Sequence, residues 1–169
     1  MKLLINKKKI IAAVSGGPDS MCMLDLYKNK IALVCHVNYN KRETAIRDQN
    51  IVEKYCTKNN IALEVLDVKD EQYEKMKNFQ SLGRKIRYNF FKSMADKYQL
   101  NEVYIAHNFN DFLETSYMQK IRSKNLLFYG IKQKSCYKGL KIFRPLLMLQ
   151  RIWIEKYCHD NKIIFGIDE

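Results

Sequence analysis

The sequence lacks several motifs that would each assign the protein to a different class. Its six glycines are placed so that neither GxGxxG nor GxxxxGK[ST], the two common phosphate-binding patterns, can be written. No apolar run approaches the roughly 18 residues of a membrane-spanning helix. The lysines near the amino terminus stand in the wrong order for a signal peptide. Repeats and linkers are also missing, so we expect a single domain over residues 1–169 that does not enter a membrane.

Paired cysteines are missing as well. The five cysteines are odd in number and widely spaced, and no two of them form a CxxC pair. This spacing argues against a zinc ribbon, a paired-cysteine redox centre or an iron–sulfur site. Thiols distributed in this way fit a reducing compartment, where most of them serve as small buried apolar residues. The sequence therefore predicts a cytoplasmic protein.

Acidic residues are few compared with basic ones, which gives a net charge of +12. Such an excess favours a polyanionic partner such as RNA. Only seven of the 30 basic residues are arginine, however, and the abundant lysine, asparagine, isoleucine and tyrosine are typical of an AT-rich genome. Net charge alone therefore does not decide whether the protein binds nucleic acid.

Strand-like and helix-like patterns alternate along the chain, which is typical of a parallel α/β sheet. Short apolar runs predict five strands, at 10–14, 31–37, 61–68, 102–107 and 140–143. Helical patterns predict helices at 21–27, 43–60, 81–98, 110–121 and 149–160. The remaining segments are expected to be a loop or short helix at 69–80, an irregular basic stretch at 123–139 and an extended piece at 163–166. We predict a doubly wound, mainly parallel five-stranded sheet with helices on both faces.

A glycine-rich segment joins the first predicted strand to the first predicted helix, and it reads Ser15-Gly16-Gly17-Pro18-Asp19-Ser20. Two glycines let a main chain turn sharply and approach an anion closely. Proline suits the first helical turn, where no N–H partner is lost, and the positive end of a helix favours anions. The segment therefore predicts a phosphate-binding loop, and the alternative is an ordinary Gly-Gly turn.

A second polar segment, at 106–115, follows the fourth predicted strand. Asp111 and Glu114 stand three residues apart, so a helix places them on one face. The alternative is that they only cap the helix, because its dipole prefers acids in the first turn. Asp19 and Asp111 together suit Mg²⁺, a hard cation that oxygens bind and that usually bridges phosphates. The apolar residues of this helix are then expected to face the sheet, namely Leu113, Tyr117 and Ile121.

Two further pairs of residues are candidates for the same site. Arg84 and Arg87 lie one helical turn apart, and arginine suits phosphate or carboxylate recognition, although a solvated basic helix face is the alternative. His36 and His107 each end a predicted strand, either as hydrogen-bonded structural residues or as acid–base groups. Ligands of open parallel sheets lie beyond the carboxyl ends of the strands. We therefore expect the segments 15–20, 36–38 and 107–114 to meet at one nucleotide site.

The glycine-rich segment resembles the SGGxDS motif of the PP-loop ATP pyrophosphatases, which bind ATP and release pyrophosphate. Four further segments occur in the order and spacing seen in tRNA(Ile)-lysidine synthases: HVNYNKRETAIRD from His36, SLGRKIRYNFF from Ser81, AHNFNDFLET from Ala106 and FRPLL from Phe143. The likeness extends from residue 10 to residue 168, and SGGPDS is the one motif that is specific by itself. It implies the PP-loop, adenine nucleotide alpha-hydrolase-like fold and an ATP-binding catalytic domain.

The resemblance also implies a reaction. Members of this family use ATP to adenylate the C2 oxygen of cytidine 34 in the anticodon of tRNA(Ile), which releases pyrophosphate. The ε-amine of free lysine then displaces AMP, giving lysidine. At the positions that match the family's motifs, the residues that would hold ATP are Ser15, Gly16, Gly17, Pro18, Asp19, Ser20, His36 and His107. The candidate catalytic residues would be Asp19 and Asp111, which would serve the Mg²⁺–pyrophosphate chemistry, and Glu114 and Arg87, which would help to place lysine or the adenylate. Arg84 would lie close by.

Two departures from the family pattern stand out. Where the family commonly has a glycine turn after the acidic helix, this chain has Arg122-Ser123-Lys124-Asn125. The sequence also stops at residue 169, before the segments with which the family grips tRNA. We therefore expect a short or truncated form without the usual C-terminal tRNA-binding extension, and the oligomeric state stays open, a homodimer included.

Two alternative functions stay open at this point. Another PP-loop tRNA-modifying enzyme, such as a thiolase, would commonly rely on paired cysteines, which the sequence lacks. A non-catalytic ATP- or RNA-binding remnant would have no need of the clustered carboxylates Asp19, Asp111 and Glu114. Both alternatives are therefore less favoured than an ATP-dependent ligase that forms a C–N bond.

Overall fold

The computed structural model describes residues 9–40, 44–68, 79–122 and 125–167, with the backbone alone at 79 and 80. Strands and helices alternate through these ranges. In chain order they are β1 (Ile10–Ala13), α1 (Pro18–Tyr27), β2 (Ile31–Asn38), α2 (Thr44–Lys58), β3 (Ala62–Asp67), α3 (Phe79–Lys97), β4 (Glu102–Ile105), α4 (Phe109–Arg122), β5 (Lys134–Tyr137), β6 (Leu140–Phe143) and α5 (Arg151–Asp160).

All six strands belong to one sheet, in the order β3-β2-β1-β4-β6-β5. Strand β1 is central and parallel to both neighbours, so that Ile11 lies between Leu33 of β2 and Val103 of β4. The chain builds β2 and β3 on one side of β1 and then returns to the other side with β4. Such a reversal of strand order opens a crevice beyond the carboxyl ends of the two central strands. The functional site is therefore expected between β1 and β4.

The core has two layers, one on each face of the sheet. Successive residues of a strand point to opposite faces, and accordingly Ala12 packs with the α1, α2 and α5 side while Ile11 packs with the α3 side. Both residues are completely buried. The prediction of a doubly wound, mainly parallel α/β sheet with helices on both faces is confirmed.

The five predicted strands and five predicted helices all occur, and the sheet contains a sixth strand. Strand β5 lies inside the stretch 123–139, so the expectation that this whole stretch is irregular was wrong. It pairs antiparallel with β6 through a two-residue turn, in which Lys138 and Gly139 both have positive φ. Its outward residues Lys134 and Cys136 are exposed, and an edge strand of this kind has no apolar run to reveal it.

Two other predicted segments remain. Residues 163–166, expected to be an extended piece, form no strand of the sheet, and the Gly166 N–H donates to the Gly16 carbonyl at 2.8 Å. Residues 69–78, expected to be a loop or short helix, lie outside the described ranges. Within those ranges, none of the helices has the length and apolar character needed to cross a membrane.

Helix α4 is attached differently from what the sequence indicated. Its side chains Leu113, Tyr117 and Ile121 are 49%, 67% and 64% exposed, so the expectation that they face the sheet was wrong. A spacing of four residues marks one face of a helix but does not say which neighbour covers that face. The helix contacts the segment before β5 instead: Gly130 lies against the Phe112 ring, and its N–H donates to Gln119 Oε1 at 2.7 Å.

Candidate active site

A cavity of about 740 Å³ opens beyond the carboxyl ends of β1, β2 and β4. Its walls come from the glycine-rich loop, the ends of β2 and β4, the start of α2, one side of α3, α5 and the segment that follows α5. The segments 15–20, 36–38 and 107–114 all reach this end of the sheet, as the strand order requires. Side chains of α3 and residues within the segment 151–167 complete the walls, so the cavity draws on several separate parts of the chain.

The glycine-rich loop is held in shape by one of its own side chains. The Ser20 hydroxyl accepts hydrogen bonds from the N–H groups of Ser15 (3.1 Å) and Gly16 (3.2 Å), and it donates to the Gly17 carbonyl at 3.0 Å. Gly17 caps α1 without any side-chain hydrogen bond. The first-turn N–H groups of a helix have no carbonyl of their own helix to bind. Those of Asp19 and Ser20 therefore suit an anion at this position.

The two glycines of the loop differ in whether the surrounding structure requires glycine at their position. Gly16 has φ of +96°, and a Cβ there would lie 2.9 Å from the Cβ and the carbonyl oxygen of Asp48. Gly17 has φ of −75°, and a Cβ there would meet only the Ser15 hydroxyl, at 3.7 Å. Gly16 therefore allows close packing of the loop against α2, whereas no residue in the described ranges requires glycine at position 17.

The two acids predicted to act together are joined through Asn108, which is 2% exposed. Asn108 Nδ2 donates to Asp19 Oδ1 at 3.0 Å, and its backbone N–H donates to Asp111 Oδ2 at 2.8 Å. The Asp111 N–H donates in return to Asn108 Oδ1 at 3.0 Å. Asn108 and Asp111 thus form a reciprocal cap at the start of α4. Asp111 caps its helix and lies beside Asp19 at the same time.

The electrostatics of this acid pair favour a cation. Burial raises the pKa of Asp111, and the negative charges of Asp19 and Glu114 raise it further, against the Asn108 N–H and the Arg151 charge. Two carboxylates with phosphate oxygens and water form a donor set that Mg²⁺ commonly accepts. In the described ranges no group of three or more His, Cys, Asp or Glu side chains could hold a metal ion alone. The acids therefore fit Mg²⁺ as part of a shared coordination shell.

The remaining predicted residues divide into those that line the cavity and one that does not. Arg84 and Arg87 line it from α3, and the Arg84 guanidinium lies 4.9 Å from the centre of the Tyr88 ring. Glu114 is exposed and lies outside the lining, one turn after Asp111 on α4. The structure therefore brings the arginines, the loop and Asp19 to one cavity, whereas Asp111 and Glu114 lie outside its lining.

Both predicted histidines line the cavity and are neutral at pH 7. Burial lowers the pKa of His36, whose Nδ1 lies 2.8 Å from the Val14 carbonyl oxygen. Burial lowers the pKa of His107 to about 4, and the positive charges of Arg144, Arg84 and Arg87 contribute in the same direction. Each histidine makes a structural hydrogen bond, His36 with the Val14 carbonyl and His107 with Arg144 Nε at 3.0 Å.

Several residues of the site were not predicted from the sequence. Asn108 had a readable signal, because an asparagine three residues before an acid is a helix-capping pattern. Arg151 and Glu155 line the cavity from α5, where Arg151 Nε donates to Glu155 Oε1 at 2.9 Å. The Arg151 N–H also donates to Asn110 Oδ1 at 3.2 Å. The contact with Asn110 joins α5 to α4 across 41 positions of sequence, and no local spacing indicates it.

Comparison with known proteins places this site in a family. A family model described as PP-loop domain matches residues 2–169. A tRNA(Ile)-lysidine synthase of Ureaplasma parvum is 52% identical over 168 residues, which cover 98% of this chain and 50% of the relative. One of Mycoplasma genitalium is 47% identical over 166 residues, covering 98% of this chain and 57% of the relative. The chain spans about half the length of these curated relatives.

Solved structures of lower identity share the fold. The U34-tRNA thiolase NcsA from Methanococcus maripaludis, solved with its [4Fe-4S] cluster, superposes with a TM-score of 0.75 at 19% identity, over 97% of this chain and 60% of that one. The NH3-dependent NAD synthetase from Campylobacter jejuni, in complex with the nitrate ion, has a TM-score of 0.62 at 15% identity, over 95% and 69%. With a family model matched over nearly its whole length, the chain belongs to the PP-loop domain family.

Proposed function

We propose that this domain performs the ATP-dependent ligation of lysine to C2 of cytidine 34 in the anticodon of tRNA(Ile). The observation that carries the proposal is the pair Asp19 and Asp111, held on either side of Asn108 next to the glycine-rich loop. The relatives named tRNA(Ile)-lysidine synthase support the substrate, because their likeness covers 98% of this chain. The reaction would proceed through an adenylated tRNA and release AMP and pyrophosphate.

The loop and the acids would serve the first half of the reaction. The first-turn N–H groups of α1 would hold phosphate oxygens of ATP, and Asp19 and Asp111 would hold Mg²⁺. When bound there, Mg²⁺ would supply positive charge that offsets the charge developing on pyrophosphate. Asn108 keeps the two carboxylates apart and oriented, because its amide and backbone N–H groups donate to one carboxylate each.

The cavity would next bring the base and the nucleotide together. The C2 oxygen of cytidine attacks the α-phosphorus of ATP, and the bond to pyrophosphate breaks. Arg84 and Arg87 line the cavity and would contact the phosphate or the adenylate as fixed cations. Catalysis of this kind depends on positioning and electrostatic stabilisation and needs no protein nucleophile.

Lysine would enter for the second half of the reaction. Its ε-amine attacks C2 of the adenylated cytidine, the C–O bond breaks, and AMP leaves. Glu114, exposed one turn after Asp111 on α4, would help to place lysine through its α-ammonium group, and Arg87 would do so through the lysine carboxylate. The net charge of +12 would attract the tRNA backbone, so tRNA affinity should fall steeply with salt. A flat salt response would contradict this electrostatic contribution.

A ligation assay tests the proposal. The chain is incubated with ATP, Mg²⁺, labelled lysine and an isoleucine tRNA that carries C34, and label in the tRNA and release of AMP are measured. A tRNA with another base at position 34 serves as the control substrate. ATP and tRNA binding without transfer of lysine would contradict the ligase and favour a binding remnant. Transfer from a sulfur donor in place of lysine would favour a thiolase.

Asp111→Asn provides the matched variant for this assay. Asparagine keeps a side-chain oxygen that can accept the Asn108 N–H, so the cap of α4 and the fold should persist. The carboxylate charge beside Asp19 is lost, and lysine-dependent AMP release should be abolished. Near-normal turnover by this variant would refute the role assigned to Asp111.

A further inference from the structure

The buried arginine after β6 has an unusual set of partners. Arg144 is 3% exposed, and in the described ranges no carboxylate lies within ion-pair distance of it. Its guanidinium donates to four groups: His107 Nδ1 (3.0 Å), the Lys132 carbonyl (2.8 Å), Ser135 Oγ (2.9 Å) and the Tyr88 hydroxyl (3.2 Å). A buried charge without a counter-charge is costly, so a role that only a cationic donor can fill is expected.

The hydrogen bond to His107 fixes the protonation of that ring. A guanidinium only donates, so Nδ1 of His107 must be the acceptor and the ring hydrogen must reside on Nε2. The nearby charges of Arg144, Arg84 and Arg87 disfavour a second proton. His107 lines the cavity, and in the described part of the chain no protein acceptor takes its Nε2–H. The ring therefore carries one N–H donor available to a ligand.

His36 has the opposite arrangement on the neighbouring side of β1. Its Nδ1 lies 2.8 Å from the Val14 carbonyl oxygen, which only accepts, so the hydrogen resides on Nδ1. Nε2 of His36 is then an acceptor. His36 and His107 thus differ in tautomer because their Nδ1 partners differ. The protein contains three histidines in all, so the contrast can be measured directly.

We propose that Arg144 is a positioning residue that holds His107 as a neutral Nε2–H donor toward a phosphate oxygen of the nucleotide in the cavity. The ligand rests on the proposed function, whereas the tautomer follows from the Arg144 contact alone. In this role His107 donates a hydrogen bond and is not a general base, since Nδ1 is occupied by the guanidinium and Nε2 already carries a hydrogen. Arg144 acts through His107 and does not line the cavity itself.

Nitrogen NMR of the histidine rings in the ligand-free chain tests the tautomers at pH 7. The expected result is a hydrogen on Nδ1 of His36 and on Nε2 of His107, with single substitutions providing the assignment. In Arg144→Met, His107 should become a mixture of tautomers while His36 stays unchanged, and Arg144→Lys should restore part of the preference. A His107 ring with its hydrogen on Nδ1, or with two hydrogens, in the unsubstituted chain would overturn the proposal.

ATP affinity supplies the second measurement, with Ser135→Ala as the matched control. The Ser135 hydroxyl accepts a hydrogen bond from the same guanidinium but lies outside the cavity lining. Removing this hydroxyl therefore tests whether Arg144 has a purely structural role. Arg144→Met should weaken ATP binding by roughly three- to tenfold, the usual range for one hydrogen bond. Ser135→Ala should stay within about twofold. Equal losses in both variants would overturn the proposal.

Neither measurement uses tRNA or lysine. A failed ligation assay would therefore contradict the proposed function and leave the assignment of Arg144 standing. If the chain ligates lysine but His107 carries its ring hydrogen on Nδ1, the assignment of Arg144 would be contradicted and the proposed function would stand.

Discussion

Helices α1 and α4 leave neighbouring strands at the same edge of the sheet and bring one acid each to the site, yet they are fixed in different ways. Helix α1 buries five consecutive residues, Ser20 to Leu24, whereas α4 buries none of its 14. Asp19 is therefore positioned by core packing. Asp111 is positioned by the hydrogen-bonded cap around Asn108. The geometry of the acid pair thus depends on a packed core on one side and on a few polar contacts on the other.

The largest effect on stability is expected from the packed side. Leu24 is completely buried, while Leu26 on the same helix is 44% exposed. Leu24→Ala removes buried methyl groups and leaves a cavity, which should lower the free energy of unfolding by about 2–5 kcal/mol. Leu26→Ala should change it by less than about 1 kcal/mol. Urea denaturation of both variants measures the difference, and similar losses would mean that α1 is not held by its buried face.

The next effect concerns the loop that leads into α1. Gly16→Ala places a Cβ at positive φ and within 2.9 Å of Asp48. It should lower the free energy of unfolding by roughly 1–3 kcal/mol. Gly17→Ala is the matched control, because its φ of −75° suits any residue and its Cβ would meet only one hydroxyl. Thermal denaturation that ranks the two variants in the reverse order would contradict the assigned reason for Gly16.

The sequence predicted the α1 half of this comparison well. Strand β1 is buried on both faces, so it appears as a continuous apolar run, and the glycine-rich segment follows it directly. The nearness of Asp19 and Asp111 could also be inferred, since both follow strands whose carboxyl ends meet at one edge. These features depend on local patterns and on one general property of parallel sheets.

The α4 half could be predicted only in part. The helix itself has a clear pattern, but its apolar face is exposed. The periodicity therefore led to the wrong prediction that this face packs against the sheet. Arg144 and His107 stand 37 positions apart in the sequence yet share a hydrogen bond. A contact of this kind is set by the pairing of β6 with β4, and no spacing in the chain encodes it. Polar contacts between distant segments were therefore the part that the sequence did not reveal.

The polar cap of α4 should show a smaller and more local effect. Asn108→Ala removes the side-chain acceptor for the Asp111 N–H and the donor to Asp19. The free energy of unfolding should fall by about 1–2 kcal/mol. Hydrogen exchange should accelerate in the first turn of α4 and stay unchanged in α1. Faster exchange in both helices would show that the two acids are fixed by one shared structure and not by two.

Asn108→Asp sharpens the same experiment. The aspartate still accepts from the Asp111 N–H, so the cap of α4 should be largely kept. The donor to Asp19 is replaced by a third negative charge, which should disturb the acid pair and reduce ATP- and Mg²⁺-dependent activity more than it reduces stability. Equal loss of activity in Asn108→Ala and Asn108→Asp, with equal loss of stability, would mean that Asn108 acts on the site only through the fold.

The smallest effect is expected on the outer face of α4. Tyr117 is 67% exposed, and no described residue forms a hydrogen bond with it that would be lost on substitution. Tyr117→Gln should therefore change the free energy of unfolding by no more than about 0.5 kcal/mol, as is usual for exposed positions. Denaturation at several protein concentrations provides the check. A loss that exceeds this range and depends on concentration would mean that a second chain covers this face in solution, and α4 would then be held by packing as α1 is.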